Sequence, residues 1–110
     1  MKLDWTPTAW REFWDASLEL QKQNPAAAES WRADVADMIR MLEYHPHIGH
    51  RHRTTSEGEF REVIVGRYRF IYRDSETVLK MRRVRHVRRK YDPQRIRDGV
   101  PRGFPAFVGY

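Results

Sequence analysis

The residues able to do chemistry crowd into the second half of this chain. Between Arg61 and Tyr91 lie Arg61, Arg69, Arg83, Arg85, His86, Arg88, Arg89 and Tyr91. A histidine among guanidiniums, with a phenol nearby, has the parts needed to cleave RNA through its own 2′-hydroxyl. A base removes the hydroxyl proton, cations steady the phosphorane, and an acid protonates the leaving 5′-oxygen. An unperturbed imidazole, with a pKa of about 6.5, suits such transfers, which makes His86 the candidate acid/base. The same cluster fits a phosphate- or protein-binding surface with no catalysis, and the residues alone leave both readings open.

The elements that must position these residues read as three strands with tight turns, from Glu59 to Tyr91. Arg61, Val63 and Val65 alternate with Phe60, Glu62 and Ile64, the period of a strand. Gly66-Arg67 fits a two-residue hairpin loop, because glycine takes the positive φ such a turn requires. Tyr68–Arg73 is the partner strand. Asp74-Ser75-Glu76 is a polar turn, and Thr77–Arg85 is the third strand. On antiparallel strands, Arg61, Arg69 and the cations of the last strand can converge on one face.

Charge is unevenly distributed. Residues 59–91 hold eleven Lys/Arg against four Asp/Glu, a net +7, whereas residues 1–44 hold five against eight, a net −3. Charge focused on one element attracts polyanions or acidic protein segments, although a solvated strand face is the plainer reading. The bias of 17 Arg to 4 Lys favours bidentate contact with phosphate or carboxylate. Arg51 and Arg53 extend the basic surface.

The first half reads as the cover for this sheet. Lys2–Thr6 alternates like a short strand. Thr6-Pro7 and Asn24-Pro25 are cap-and-proline starts for helices reaching about Lys22 and Tyr44. Trp10, Phe13, Trp14 and Leu18 form an apolar stripe on the first helix; Ala28, Trp31, Val35, Met38, Ile39 and Leu42 form one on the second. Trp10, Trp14 and Trp31 therefore read as core, with the alternative that part of this surface stays open as a groove for an amphipathic partner. The segment from His45 to Gly58 reads as a polar loop. Its His45, His47, His50 and His52 match no closed zinc pattern, so no specific metal site is expected. The tail from Asp92 to Tyr110 is rich in Pro and Gly and excludes a long helix.

With 110 residues there is room for one domain. The chain has no cysteine, which removes disulfides and thiolate metal sites and fits a reducing cytosol. No apolar signal segment or membrane span is visible, so a cytoplasmic location is expected.

The order of strand, helix hairpin and three antiparallel strands resembles the RelE/ParE superfamily of bacterial toxins from type II toxin–antitoxin modules. Leu42–Gly49 (LEYHPHIG) looks like that family's L-x-x-H-P-x-I-G corner. Phe60–Tyr72 is similar to its R-E…Y-R…Y hairpin, and Val84–Arg89 (VRHVRR) to the V-x-H-x-R-R that closes its last strand. The resemblance covers about residues 1–91 as one toxin domain; residues 92–110 form a tail it does not explain.

The resemblance implies an α+β fold: an N-terminal strand and an antiparallel helix hairpin packed on a mainly antiparallel four-stranded sheet. It implies a growth-inhibiting toxin neutralised by a cognate antitoxin, with no cofactor. Trp10, Trp14 and Trp31 would take the antitoxin's apolar anchors. Two modes follow. A ParE-like protein poisons DNA gyrase and is not a nuclease; a RelE-like protein cleaves mRNA on the ribosome. In the second mode His86, Arg69, Arg88 and Tyr91 would be catalytic. Arg51, Arg53, Arg61, Arg83, Arg85 and Arg89 would bind nucleic acid or another target. Phe60 and Glu62 stand where one nuclease branch has lysines, and the corner and strand ending are more typical of the ParE-like branch, which the sequence therefore favours. A binding module without toxicity is the third reading.

Overall fold

The two helices start where the sequence signals them. Thr6 Oγ1 accepts the Ala9 N–H at 3.1 Å and Pro7 follows, opening α1 (Pro7–Gln23). Asn24 serves both helices. Its N–H donates to Leu20 O at 2.8 Å, closing α1, and its side chain accepts the Ala27 N–H at 3.1 Å, opening α2 (Pro25–Tyr44). A single residue thus makes the corner of the hairpin. The structure, a computed structural model, describes residues 1–87. Arg88, Arg89, Tyr91 and the tail expected for residues 92–110 lie outside the described residues.

Five strands form one sheet: β1 (Leu3–Trp5), β2 (His50–Thr55), β3 (Gly58–Val65), β4 (Tyr68–Asp74) and β5 (Leu79–His86). Their spatial order is β1-β5-β4-β3-β2. β1 runs parallel to β5, and every other pair is antiparallel. The expected four-stranded sheet gains a fifth strand, β2, inside the histidine-rich segment that reads as a loop. The sequence conceals it for a physical reason. His50–Thr55 is an edge strand with no buried side chain, so it has no apolar alternation to show. Backbone pairing with β3 holds it in place, and histidines therefore sit in the sheet besides His86.

Register assigns the two faces. Tyr68, Phe70 and Tyr72 of β4 lie opposite Val65, Val63 and Arg61 of β3 and face the helices. Arg69, Ile71 and Arg73 face the other way. Leu79, Met81 and Val84 of β5 complete the helix-side face, with a bulge at Arg82 between Met81 and Arg83.

The core closes around Trp31 of α2. Its ring stacks on Phe13 at 5.4 Å and packs against Phe70 at 6.0 Å, while its Nε1–H donates to Val65 O at 3.0 Å. The φ of +62° at Gly66 makes the β3–β4 turn, and a Cβ there would lie 3.0 Å from the Trp31 ring. At the α2–β2 corner, Tyr72 Oη donates to Pro46 O at 2.7 Å and accepts the Gly49 N–H at 3.0 Å. Any Cβ on Gly49 would come within 2.6 Å of that hydroxyl. The H-P-x-I-G sequence is thus a socket for one buried tyrosine. Burial, opposed by the Gly49 N–H, pushes the Tyr72 phenol up to about 12.

Candidate functional site

Several of the basic residues prove to be neutralised within the fold. Arg61 lies on the helix side of β3. Its Nη1 donates to the carbonyls of His47 and Gly49, each at 3.0 Å. Its Nη2 meets Glu59, and its Nε lies 3.4 Å from Asp74 Oδ2. Arg51 approaches Glu59 from β2 at 3.3 Å. Burial raises the Glu59 pKa, but hydrogen bonds from Arg51 and Arg61 outweigh it and hold the carboxyl below its usual value. His47 Nδ1 lies 2.5 Å from Asp74 Oδ2, so His47, Glu59 and Asp74 place one ligand atom each within 4.8 Å of one another. The Arg61 guanidinium already supplies the cation there.

Arg69 sits on the outer face, buried, with its Nε 3.6 Å from Glu62. His52 Nε2 lies 3.6 Å from the other Glu62 oxygen. Burial pushes the His52 pKa down, and its cationic neighbours add to that against the pull of Glu62. Arg73 pairs with Glu57 at 3.1 Å. Arg83 reaches over the sheet edge to Glu12 of α1, with its Nη2 3.0 Å and its Nε 3.2 Å away. That bond raises the Arg83 pKa. Glu12 also accepts the Val84 N–H at 2.8 Å, satisfying β5 where β1 no longer reaches it.

Of the expected catalytic residues, the two that are described, His86 and Arg69, lie on opposite faces. His86 pairs in register with Tyr68, and their rings meet edge-on at 5.0 Å. His86 thus belongs to the helix side, on the rim of a groove of about 760 Å³ that Leu20, Trp31 and Gly66 also line. Arg69 pairs with Arg85 on the opposite side of the sheet. The structure does not bring His86 and Arg69 together, because adjacent residues of a strand point to opposite faces.

The tryptophans divide too. Trp31 is 6% exposed and belongs to the core, with only its edge lining the groove beside His86. Trp10 and Trp14 are 47% and 42% exposed, contrary to the core reading of the stripe. They meet edge-on at 5.8 Å, and with exposed Leu18 they form a ridge along α1 at i, i+4, i+8. The tertiary fold turns α1 so that Ala9, Phe13, Ala16 and Ser17 face inward instead.

One feature of the outer face is absent from the sequence reading. The Arg53 and Arg82 guanidiniums lie 4.8 Å and 5.7 Å from the centre of the Phe60 ring. Among the described residues Arg53, Lys80, Arg82 and Arg85 have no carboxylate within ion-pair distance. Phe60 stands where one nuclease branch has a lysine; in the fold it is a platform for two arginines from other strands. A sequence signal existed in the lone aromatic on the polar face of β3, but only register shows which cations reach it.

A cationic sheet face on one side and an exposed aromatic ridge on the other mark a two-layer α+β domain. The sequence matches the family described as the ParE toxin of the type II toxin–antitoxin system parDE over residues 3–91, and the chain belongs to that family. A solved structure of the chromosomal ParDE toxin–antitoxin system from P. aeruginosa has a similar fold. Its TM-score is 0.63 at 17% identity, covering 79% of this chain and 96% of that one. No curated protein matches the chain. Among the described residues no helix is long and apolar enough to cross a membrane.

Proposed function

We propose that this chain is the toxin of a toxin–antitoxin pair, acts in the cytoplasm, and stops growth by poisoning DNA gyrase. Family membership supports the toxin role. The observation that carries the choice of target is the separation of His86 from Arg69 by the sheet itself. General acid/base transfer needs its groups within hydrogen-bond reach of one substrate. An imidazole on the helix side and a guanidinium tied to Glu62 on the other do not meet that condition. A protein poison of an enzyme needs a surface, and the sheet supplies one. The cognate antitoxin would cover the Trp10–Trp14–Leu18 ridge with apolar side chains of its own.

The test is to add the purified chain to gyrase and relaxed plasmid, and to follow mRNA integrity in cells expressing it. Loss of supercoiling with trapped DNA breaks, intact mRNA, and a His86→Ala variant as toxic as the parent are expected. Codon-phased mRNA cuts that disappear in His86→Ala would overturn the proposal in favour of a ribosome-dependent nuclease. Neither effect, with normal growth, would leave a non-toxic binding module.

A further inference from the structure

The outer face of the sheet carries a cross-strand row: Arg53 of β2, Phe60 of β3, Arg73 of β4 and Lys80 of β5 are successive register partners. With strands about 4.8 Å apart, the row is roughly 14 Å long. The bulge in β5 adds Arg82. It is the residue left without a partner between the Met81–Tyr72 and Arg83–Ile71 pairs, and its guanidinium reaches Phe60. A bulge commonly serves to re-aim a side chain. Arg53 and Arg82 approach one ring and are bound to no carboxylate among the described residues, unlike Arg61, Arg69, Arg73 and Arg83. Guanidiniums held by an aromatic ring lose less freedom on binding an anion than free side chains do.

We propose that this row binds the phosphate backbone of duplex DNA, without regard to base sequence. The inference rests on the sheet face being the toxin's target-contacting surface, and adds that the protein touches the DNA directly. Two features favour duplex DNA over an acidic protein segment or a single strand. The row crosses four strands and Phe60 is half-buried, so it offers no deep apolar pocket for a peptide anchor. The guanidiniums over Phe60 compete with any base for its ring, which disfavours the stacking single strands use. Indifference to base sequence is favoured by a separate observation: no Asn or Gln lies in β2, β3, β4 or β5, so the side chains that read adenine are missing there.

The test is fluorescence anisotropy of the full chain with two 20-bp duplexes of unrelated sequence, from 50 to 200 mM salt. Both duplexes should bind alike, with affinity falling steeply as salt rises. Arg53→Ala/Arg82→Ala should weaken binding at least tenfold and lower the log–log salt slope by about 2, one per lost phosphate contact. A charge-matched Arg11→Ala/Arg40→Ala control should leave the slope unchanged. Circular dichroism establishes that both variants are folded. No binding at 50 mM salt overturns the inference, as does equal weakening in the two double variants. Displacement of the DNA by polyglutamate at lower concentration than by competitor duplex would assign the row to an acidic protein instead. Gyrase inhibition that persists without DNA binding by the chain removes this inference and leaves the gyrase reading intact. DNA binding without gyrase inhibition does the reverse.

Discussion

Arg61 and Arg53 sit on neighbouring strands of the same basic half, with identical side chains and different fates. Arg61 is wrapped by two carbonyls, Glu59 and Asp74; Arg53 lies on a phenyl ring and faces solvent. The first kind of arginine fastens the fold, and the second is available to a partner. Net charge does not distinguish them. A basic domain is therefore better understood by subtracting the cations that its own carboxylates consume than by counting arginines.

The largest effect should come from removing a fastening cation. Arg61→Ala leaves buried Asp74 without its guanidinium and should cost about 3–5 kcal/mol, read as a fall in Tm. A variant within about 1 kcal/mol of the parent would erase the distinction between the two classes. Trp31→Ala should cost a similar ~3–5 kcal/mol by emptying the core. Trp10→Ala and Trp14→Ala should stay near the surface norm of about 0.5 kcal/mol, yet weaken antitoxin capture at least tenfold in pull-down or calorimetry.

Gly49→Ala sharpens the same contrast at the corner. The added methyl meets the Tyr72 hydroxyl at 2.6 Å and should cost ~1–3 kcal/mol in a denaturant melt. The pH dependence has two limbs. The Tyr72 pKa is raised from 10.0 to about 12, so its contribution is complete below pH 10 and is lost as pH rises through 12. The Glu59 pKa is depressed below 4.5, so its contribution is present above pH 4.5 and is lost as pH falls through the lowered value. Urea melts across pH should show both limbs, and Tyr72→Phe should flatten the alkaline one. The smallest effect is expected from Arg53→Ala/Arg82→Ala, with stability changed by no more than about 0.5 kcal/mol per site while partner binding falls.

Much of the fold was legible because its signals are local. Thr6-Pro7 and Asn24-Pro25 start helices through contacts three residues away, and Val63–Val65 and Phe70–Tyr72 alternate as paired strands must. β2 was not legible, since an edge strand without a buried side chain has no hydrophobic period. Nor was the ridge, since the same stripe of Trp10, Phe13, Trp14 and Leu18 could be rotated either way until β1 and β5 fixed which part it buries.

The sequence by itself determined the helix caps, four of the five strands, the basic half and the family. Each follows from neighbours in the chain or from composition. Only the tertiary structure decided which cations are free. The partners that neutralise them are distant: Glu12 meets Arg83 across 71 positions, and His47 lends its carbonyl to Arg61 across 14. An ion pair depends on separation in space, and folding sets that separation for residues far apart in the chain.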